Sequence, residues 1–141
     1  MSNIDFDLNN SSPIYLQISK YFQAKVFLGE LEPGDIIASR RELASSIRVN
    51  LNTVQKAYSH MEDIGLIKTE KNKHSIITDD LKVLDLLKEE YIKEPLDIFI
   101  KTMKSIKIPK EQVLNLISNY YDKIDSNSDT KDTESIKKES N

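Results

Sequence analysis

Ile14, Ile18, Phe22 and Val26 recur at every fourth position, with Tyr15 and Leu28 beside them. That spacing stacks apolar side chains on one face and predicts a first helix. Ser12-Pro13 opens it, with Ser as cap and Pro in the first turn, and Gly29 ends it. Residues 1–12 hold no sustained period and read as a short arm, in which Ile4, Phe6 and Leu8 alternate with polar residues. Glu30 to Asp35 follow as a turn, because Pro33-Gly34 favours type II geometry, and Ile36-Ile37 is a short strand candidate.

Residues 39–64 then read as two short helices joined by a tight turn. Ser39 caps the first, and Glu42 three residues later closes a capping box. Leu43, Ala44 and Ile47 share one face, with Arg41, Ser45 and Arg48 on the other. The second helix starts near Asn50–Asn52, where one of the two asparagines caps. Val54, Tyr58 and Met61 form its inward stripe, while Leu51, Asn52, Gln55, Lys56 and Ser59 fall opposite. Two amides, a cation and a hydroxyl are groups suited to base edges and phosphates in a DNA major groove. The pair therefore reads as a helix-turn-helix whose second helix is the reader.

Gly65 closes that helix, and Leu66–Glu70 and Ser75–Thr78 read as two strands around a polar tip, Lys71-Asn72-Lys73-His74. From Asp79 onward three amphipathic segments follow. Leu84, Leu87 and Tyr91 stripe the first, and Pro95 either kinks or restarts the helix. Leu96, Phe99, Ile100 and Met103 continue the pattern, Ile108-Pro109 marks another break, and Val113, Leu114, Ile117, Tyr120, Tyr121 and Ile124 cover the last segment. Such short segments with bulky apolar faces do not bury themselves alone, so a second copy is the economical cover. The expected fold is mainly α with a small β-hairpin wing. An N-terminal arm (1–12) precedes a winged helix-turn-helix domain (13–78), followed by a helical dimerisation region (79–125) and a disordered polar tail (126–141).

Composition narrows the function. The chain has 141 residues, 38% of them hydrophobic and 30% charged, in the ordinary range for a soluble globular protein. It has no cysteine, which removes disulfides, thiol catalysis and cysteine-built zinc sites. No apolar run reaches membrane-spanning length, and the acidic MSNIDFDLNN start lacks the regions of a signal peptide, so a cytoplasmic protein is expected. The net charge of −3 does not favour a nucleic-acid partner, but residues 36–78 carry seven cations against four anions. A locally basic face on an acidic chain permits phosphate contact and predicts modest non-specific affinity.

His60 and His74 are the only imidazoles and read as surface residues rather than a metal site. Asp79-Asp80 and Glu89-Glu90 are explained by helix capping and a solvent face. Tyr120-Tyr121 and the Leu84/Phe99/Met103 stripe are open to two uses, an effector pocket or a core or dimer seam, and helical spacing favours the second. No nucleophile–base cluster or phosphate loop is visible, so neither an enzyme nor a cofactor is expected.

PIYLQI (13–18), LEPGDIIASRRELA (31–44), VNLNTVQKAY (49–58) and GLIKTE (65–70) resemble, in order and spacing, the GntR family of bacterial transcription regulators. The short C-terminal part is similar to the YtrA-like subfamily. The resemblance implies a dimeric repressor on an inverted repeat, often controlling a neighbouring ABC transporter operon. It implies that Arg41 contacts phosphate or a base, that Asn50, Asn52, Thr53, Gln55 and Lys56 occupy reader positions, and that Tyr58 is core. Three positions depart from the family pattern. Ala38 stands for the usual Pro before the Ser. Arg48 stands for the common turn Gly, so it either adopts positive φ or shifts the turn. Asn72-Lys73-His74-Ser75-Ile76 stands for a glycine-rich wing tip, which weakens the case for close backbone approach to the minor groove.

The expected DNA contacts are Arg40, Arg41, Arg48, Asn50, Leu51, Asn52, Thr53, Gln55, Lys56, Lys71 and Lys73. Leu51 either touches a thymine methyl or is merely an exposed apolar side chain. The expected dimerisation residues are Leu84, Leu87, Tyr91, Leu96, Phe99, Ile100, Met103, Leu114, Ile117 and Tyr121. Partners are then double-stranded DNA and a second copy; a small-molecule effector is compatible with this, though no pattern identifies one. The competing expectation is a winged-helix protein–protein module with weak or no DNA binding, motivated by the altered wing and the negative net charge.

Overall fold

The computed structural model describes residues 6, 8–71 and 74–126. It is mainly helical, with helices α1 (Ile14–Phe27), α2 (Arg40–Ile47) and α3 (Leu51–Asp63), strands β1 (Ile67–Thr69) and β2 (Ser75–Ile77), and then helices α4 (Leu81–Ser105) and α5 (Lys110–Ser126). This is the expected order, a helix-turn-helix flanked by α1 and a hairpin wing. The chain falls into two compact units that meet between Glu94 and Pro95.

The first unit has one core. Ile18 and Phe22 of α1, Leu43 of α2, and Val54, Ala57, Tyr58 and Met61 of α3 are buried with Leu66, Ile67 and Ile77 of the hairpin. The predicted stripes of α1 and α3 supply this core; Ile14, at the head of the first, stays on the surface. Ser12 does not cap α1. Pro13 itself takes the N-cap position at φ −57° and ψ 142°, and its carbonyl accepts from Leu16 and Gln17. The Gln17 side chain instead donates to the Asn9 and Ser12 carbonyls and accepts from the Asn9 amide, which fastens the preceding segment to α1.

Between α1 and α2 the Glu32 carbonyl accepts from the Asp35 amide at 2.9 Å, and Gly34 lies at φ +88°. That is the type II turn expected of Pro33-Gly34, whose third position requires positive φ. Ile36 pairs in a single bridge with Ile76, placing the short predicted strand beside the hairpin. β1 and β2 are antiparallel, with Ile67 opposite Ile77 and Thr69 opposite Ser75.

α4 runs unbroken through Pro95, so the helix does not restart there. Leu84 and Leu87 are half-buried against the first unit's core, and the Tyr91 ring meets Phe27 of α1 edge-on at 5.2 Å. The expected domain boundary at 78/79 therefore falls inside the first unit, which extends to Glu94. In the second unit the rest of α4 and α5 form a helical hairpin. Lys107 turns the chain at φ 59°, and Val113 is buried. The remaining apolar residues of this hairpin stay largely uncovered, with Leu114 55% and Tyr121 71% exposed. Among the described residues no helix is long and apolar enough to cross a membrane. The expected tail (126–141), apart from Ser126 at the end of α5, and half of the expected arm lie outside the described residues.

Candidate nucleic-acid interface

α2 and α3 are fixed at their ends by side chains that sequence spacing anticipates. Ser39 Oγ accepts from the Glu42 amide at 3.1 Å while the Ser39 amide donates to Glu42 Oε1 at 2.9 Å, a complete capping box. Asn50 Oδ1 accepts from the Asn52 amide at 2.7 Å, so Asn50 is the capping asparagine and Asn52 is left exposed. Between the helices Arg48 sits at φ 57° and ψ 51°, the left-handed conformation that most side chains resist. The turn has therefore kept its shape and placed a bulky residue where glycine is easiest.

With its ends set, α3 is anchored by Val54, Ala57, Tyr58 and Met61, each essentially without solvent exposure. The opposite face carries Asn52, Gln55, Lys56 and Ser59, all exposed. Thr53 and Leu51 are half-buried at its edges. A groove of about 600 Å³ runs beside this ridge, with Arg41, Leu51, Gln55 and His74 among its lining residues. Among the described residues no hydrogen bond or ion pair engages the side chains of Arg41, Arg48 or Gln55, so their guanidinium and amide groups remain available to a ligand. Lys71 is exposed in the wing turn at φ 28°, where the Glu70 amide donates to the His74 carbonyl at 2.9 Å. Lys73 lies outside the described residues.

Lys56 is placed differently from its neighbours. Its ammonium lies 4.4 Å from the centroid of the Tyr15 ring, which in turn meets His60 edge-on at 5.6 Å. A cation over an aromatic face is attracted by the ring quadrupole, so Lys56 is held toward α1, at the flank of the ridge. Tyr15 has no polar role in the sequence pattern and was invisible there as a partner of the reader helix.

Arg40 departs most from expectation. Only 28% of its side chain is exposed, and Nη2 lies 3.5 Å from Glu62 Oε2 on α3. Its guanidinium carbon is 5.1 Å from the Tyr58 ring centroid, and Nε is buried without a hydrogen-bond partner. Arg40 thus turns its Nη2 toward the carboxylate of the reader helix, while it lines the same groove as Arg41. The spacing contains the reason: Arg40 precedes Leu43, Ala44 and Ile47 by three, four and seven residues, which puts it on the inward face. Tyr58 itself donates from its hydroxyl to the Ala38 carbonyl at 2.5 Å. Burial pushes the Tyr58 phenol well above its usual pKa; Arg40 pulls it down and Glu42 pushes it up to lesser extents, so it stays a neutral donor.

Of the residues expected to pair two copies, Leu84 and Leu87 pack against the core of the chain's own first unit and Tyr91 meets Phe27 of α1. Leu96, Ile100, Leu114, Ile117 and Tyr121 are exposed on the second unit, and Phe99 and Met103 are half-buried there. Two apolar grooves of about 390 Å³ each lie along this hairpin, and Met103 and Ile117 line both.

Residues 14–77 match the family described as bacterial regulatory proteins, gntR family. The chain is 36% identical over 117 residues to YhcF of Bacillus subtilis, an uncharacterized HTH-type transcriptional regulator, in a match covering 83% of this chain and 97% of that protein. It is 39% identical over 79 residues to the HTH-type transcriptional repressor YtrA of Bacillus subtilis, covering 56% of this chain and 61% of that one. Among solved structures, a GntR family transcriptional regulator from Listeria monocytogenes is similar with a TM-score of 0.74 and 31% identity. That likeness covers 79% of this chain and 98% of the other.

Proposed function

This chain belongs to the GntR family of bacterial transcriptional regulators, which are not enzymes, and from that premise we propose that it is a repressor binding an inverted-repeat operator as a homodimer. One observation carries the proposal. α3 presents Asn52, Gln55 and Ser59 outward on a helix whose other face is wholly buried, with Arg41 and Arg48 beside it. A helix so anchored enters the major groove without rearrangement, offering amides to base edges and guanidinium groups to phosphates. Asn50 is already engaged as a cap, which makes Asn52, Gln55 and Arg41 the leading contacts.

Two half-sites about one helical turn apart, roughly 34 Å, suit a two-fold pair of reader helices. The uncovered apolar face of the second unit supports pairing through Leu96, Phe99, Ile100, Met103, Leu114, Ile117 and Tyr121. Repression follows the likeness to the YtrA repressor, and control of an ABC transporter operon follows the subfamily resemblance. Binding of the full chain to the duplex upstream of its own gene, followed by gel shift across a range of salt, tests the proposal. Selective retardation of that duplex over a scrambled one is expected. Equal retardation of both, or none, favours instead a protein–protein module, the use that the glycine-poor wing would best suit.

A further inference from the structure

Arg40 is the first residue of α2, Glu62 lies in the last turn of α3, Thr69 ends β1 and Ser75 begins β2. One carboxylate oxygen, Glu62 Oε2, receives both the Arg40 guanidinium at 3.5 Å and the Thr69 hydroxyl at 2.5 Å. Thr69 Oγ1 lies 3.0 Å from Ser75 Oγ across the hairpin, and Ser75 is buried. These two residues are paired directly and bracket the wing turn. A continuous polar chain thus ties the start of the helix-turn-helix, the end of the reader helix and the base of the wing.

We propose that Arg40 is a positioning residue for operator discrimination: acting through Glu62 and Thr69, it fixes the wing against the reader helix without touching DNA. This rests on the DNA-binding reading above. The Tyr58 ring faces the guanidinium carbon at 5.1 Å, and Tyr58 is held in turn by its bond to the Ala38 carbonyl. Tilting the wing away from α3 would strip Glu62 of a donor in a half-buried setting, where unmet polar groups are costly. The glycine-poor wing therefore gains from Arg40 a set angle at which Lys71 meets the duplex.

The test compares the full chain with Arg40→Met, Arg41→Met, Glu62→Gln and the double variant Arg40→Met/Glu62→Gln. Fluorescence anisotropy against the upstream duplex and a scrambled duplex gives a selectivity ratio and a salt slope for each. Arg40→Met is expected to lower the ratio by roughly tenfold, a coupling typical of residues in one network, with the salt slope unchanged. Arg41→Met, as a phosphate contact, should flatten the slope by about 0.9. Glu62→Gln should lower the ratio like Arg40→Met, and the double variant should be no worse than either single one. A flattened slope for Arg40→Met, or additive losses in the double variant, would overturn the proposal. Hydrogen exchange of the Glu70 amide in the DNA-free protein judges the strut separately: several-fold faster exchange in Arg40→Met supports it, and unchanged exchange overturns it. A wild-type chain with no preference for its upstream duplex would overturn the DNA-binding reading and the discrimination role together, whatever the exchange data show.

Discussion

Replacing Arg48 by glycine should stabilise the protein while weakening its grip on DNA. Arg48 stands at φ 57° and ψ 51°, close to the centre of the left-handed region. There a Cβ crowds the following carbonyl oxygen, at about 1–2 kcal/mol. Glycine removes that crowding but loses more conformational freedom on folding, worth about 0.5–1 kcal/mol in the other direction. Arg48 is exposed and closes α2 only through main-chain bonds, its own and the Val49 amide both donating to the Ala44 carbonyl. The substitution therefore removes no packing, and the net gain is about 0.5–1 kcal/mol. With a urea dependence of about 2 kcal/mol per M, the midpoint should rise by roughly 0.3–0.5 M, well within the reach of an equilibrium unfolding curve followed by far-ultraviolet circular dichroism. Arg48→Ala is the control, since it deletes the charge and keeps the Cβ, and its midpoint should barely move. On DNA both variants should lose the same guanidinium and flatten the salt slope by about 0.9. A glycine variant that unfolds earlier than wild type would refute the strain; one whose salt slope is unaltered would refute the phosphate contact.

Gln55→Ala should weaken binding to the upstream duplex by about 1–3 kcal/mol in an anisotropy titration while leaving scrambled duplex unaffected, because an amide reads bases and carries no charge. Tyr58→Phe should destabilise the fold by about 1–2 kcal/mol in urea unfolding, leaving the Ala38 carbonyl without its donor. The same phenol gives a pH dependence with a definite sign. Its folded pKa lies above the ordinary value of 10.0, so the native state holds the proton longer than the unfolded chain, and stability should fall as pH rises past about 10. Thermal unfolding across that range should show the decline in wild type and a shallower one in Tyr58→Phe. Leu114→Asp puts a charge on a side chain 55% exposed in the second unit, so the isolated protomer should stay folded. Sedimentation velocity should find wild type dimeric and this variant monomeric, with a matching loss of operator affinity.

Much of this architecture was legible because the deciding interactions are local. The capping box needs only Ser39 and Glu42, the type II turn only Pro33-Gly34, and the inward stripe of α3 only the spacing of Val54, Tyr58 and Met61. What escaped depends on partners far along the chain. Arg40 shares the register of Leu43, Ala44 and Ile47, yet its turn inward is intelligible only once Glu62, 22 residues on, is brought beside it. Tyr15 belongs to an apolar pattern on α1, and nothing local says that Lys56 would rest on its ring. At Pro95 the missing amide argues for a break, since an interior proline costs a helix about 3 kcal/mol. α4 nevertheless stays continuous, with Leu84, Leu87 and Tyr91 seated on the first unit before the proline. The stripe of Leu84, Leu87 and Tyr91, expected to face a second copy, is used within the chain.

The central claim is that the polar ridge of α3 is the surface that DNA meets. Backbone amide chemical-shift mapping of the full-length protein, titrated with the duplex upstream of its own gene, addresses it most directly. The largest shifts should fall on residues 51–59 and on Arg41, with smaller ones at Lys71 and none along α5 beyond those of a dimer already formed. Shifts concentrated on α4 and α5, with Gln55 and Lys56 undisturbed at saturating duplex, would contradict it.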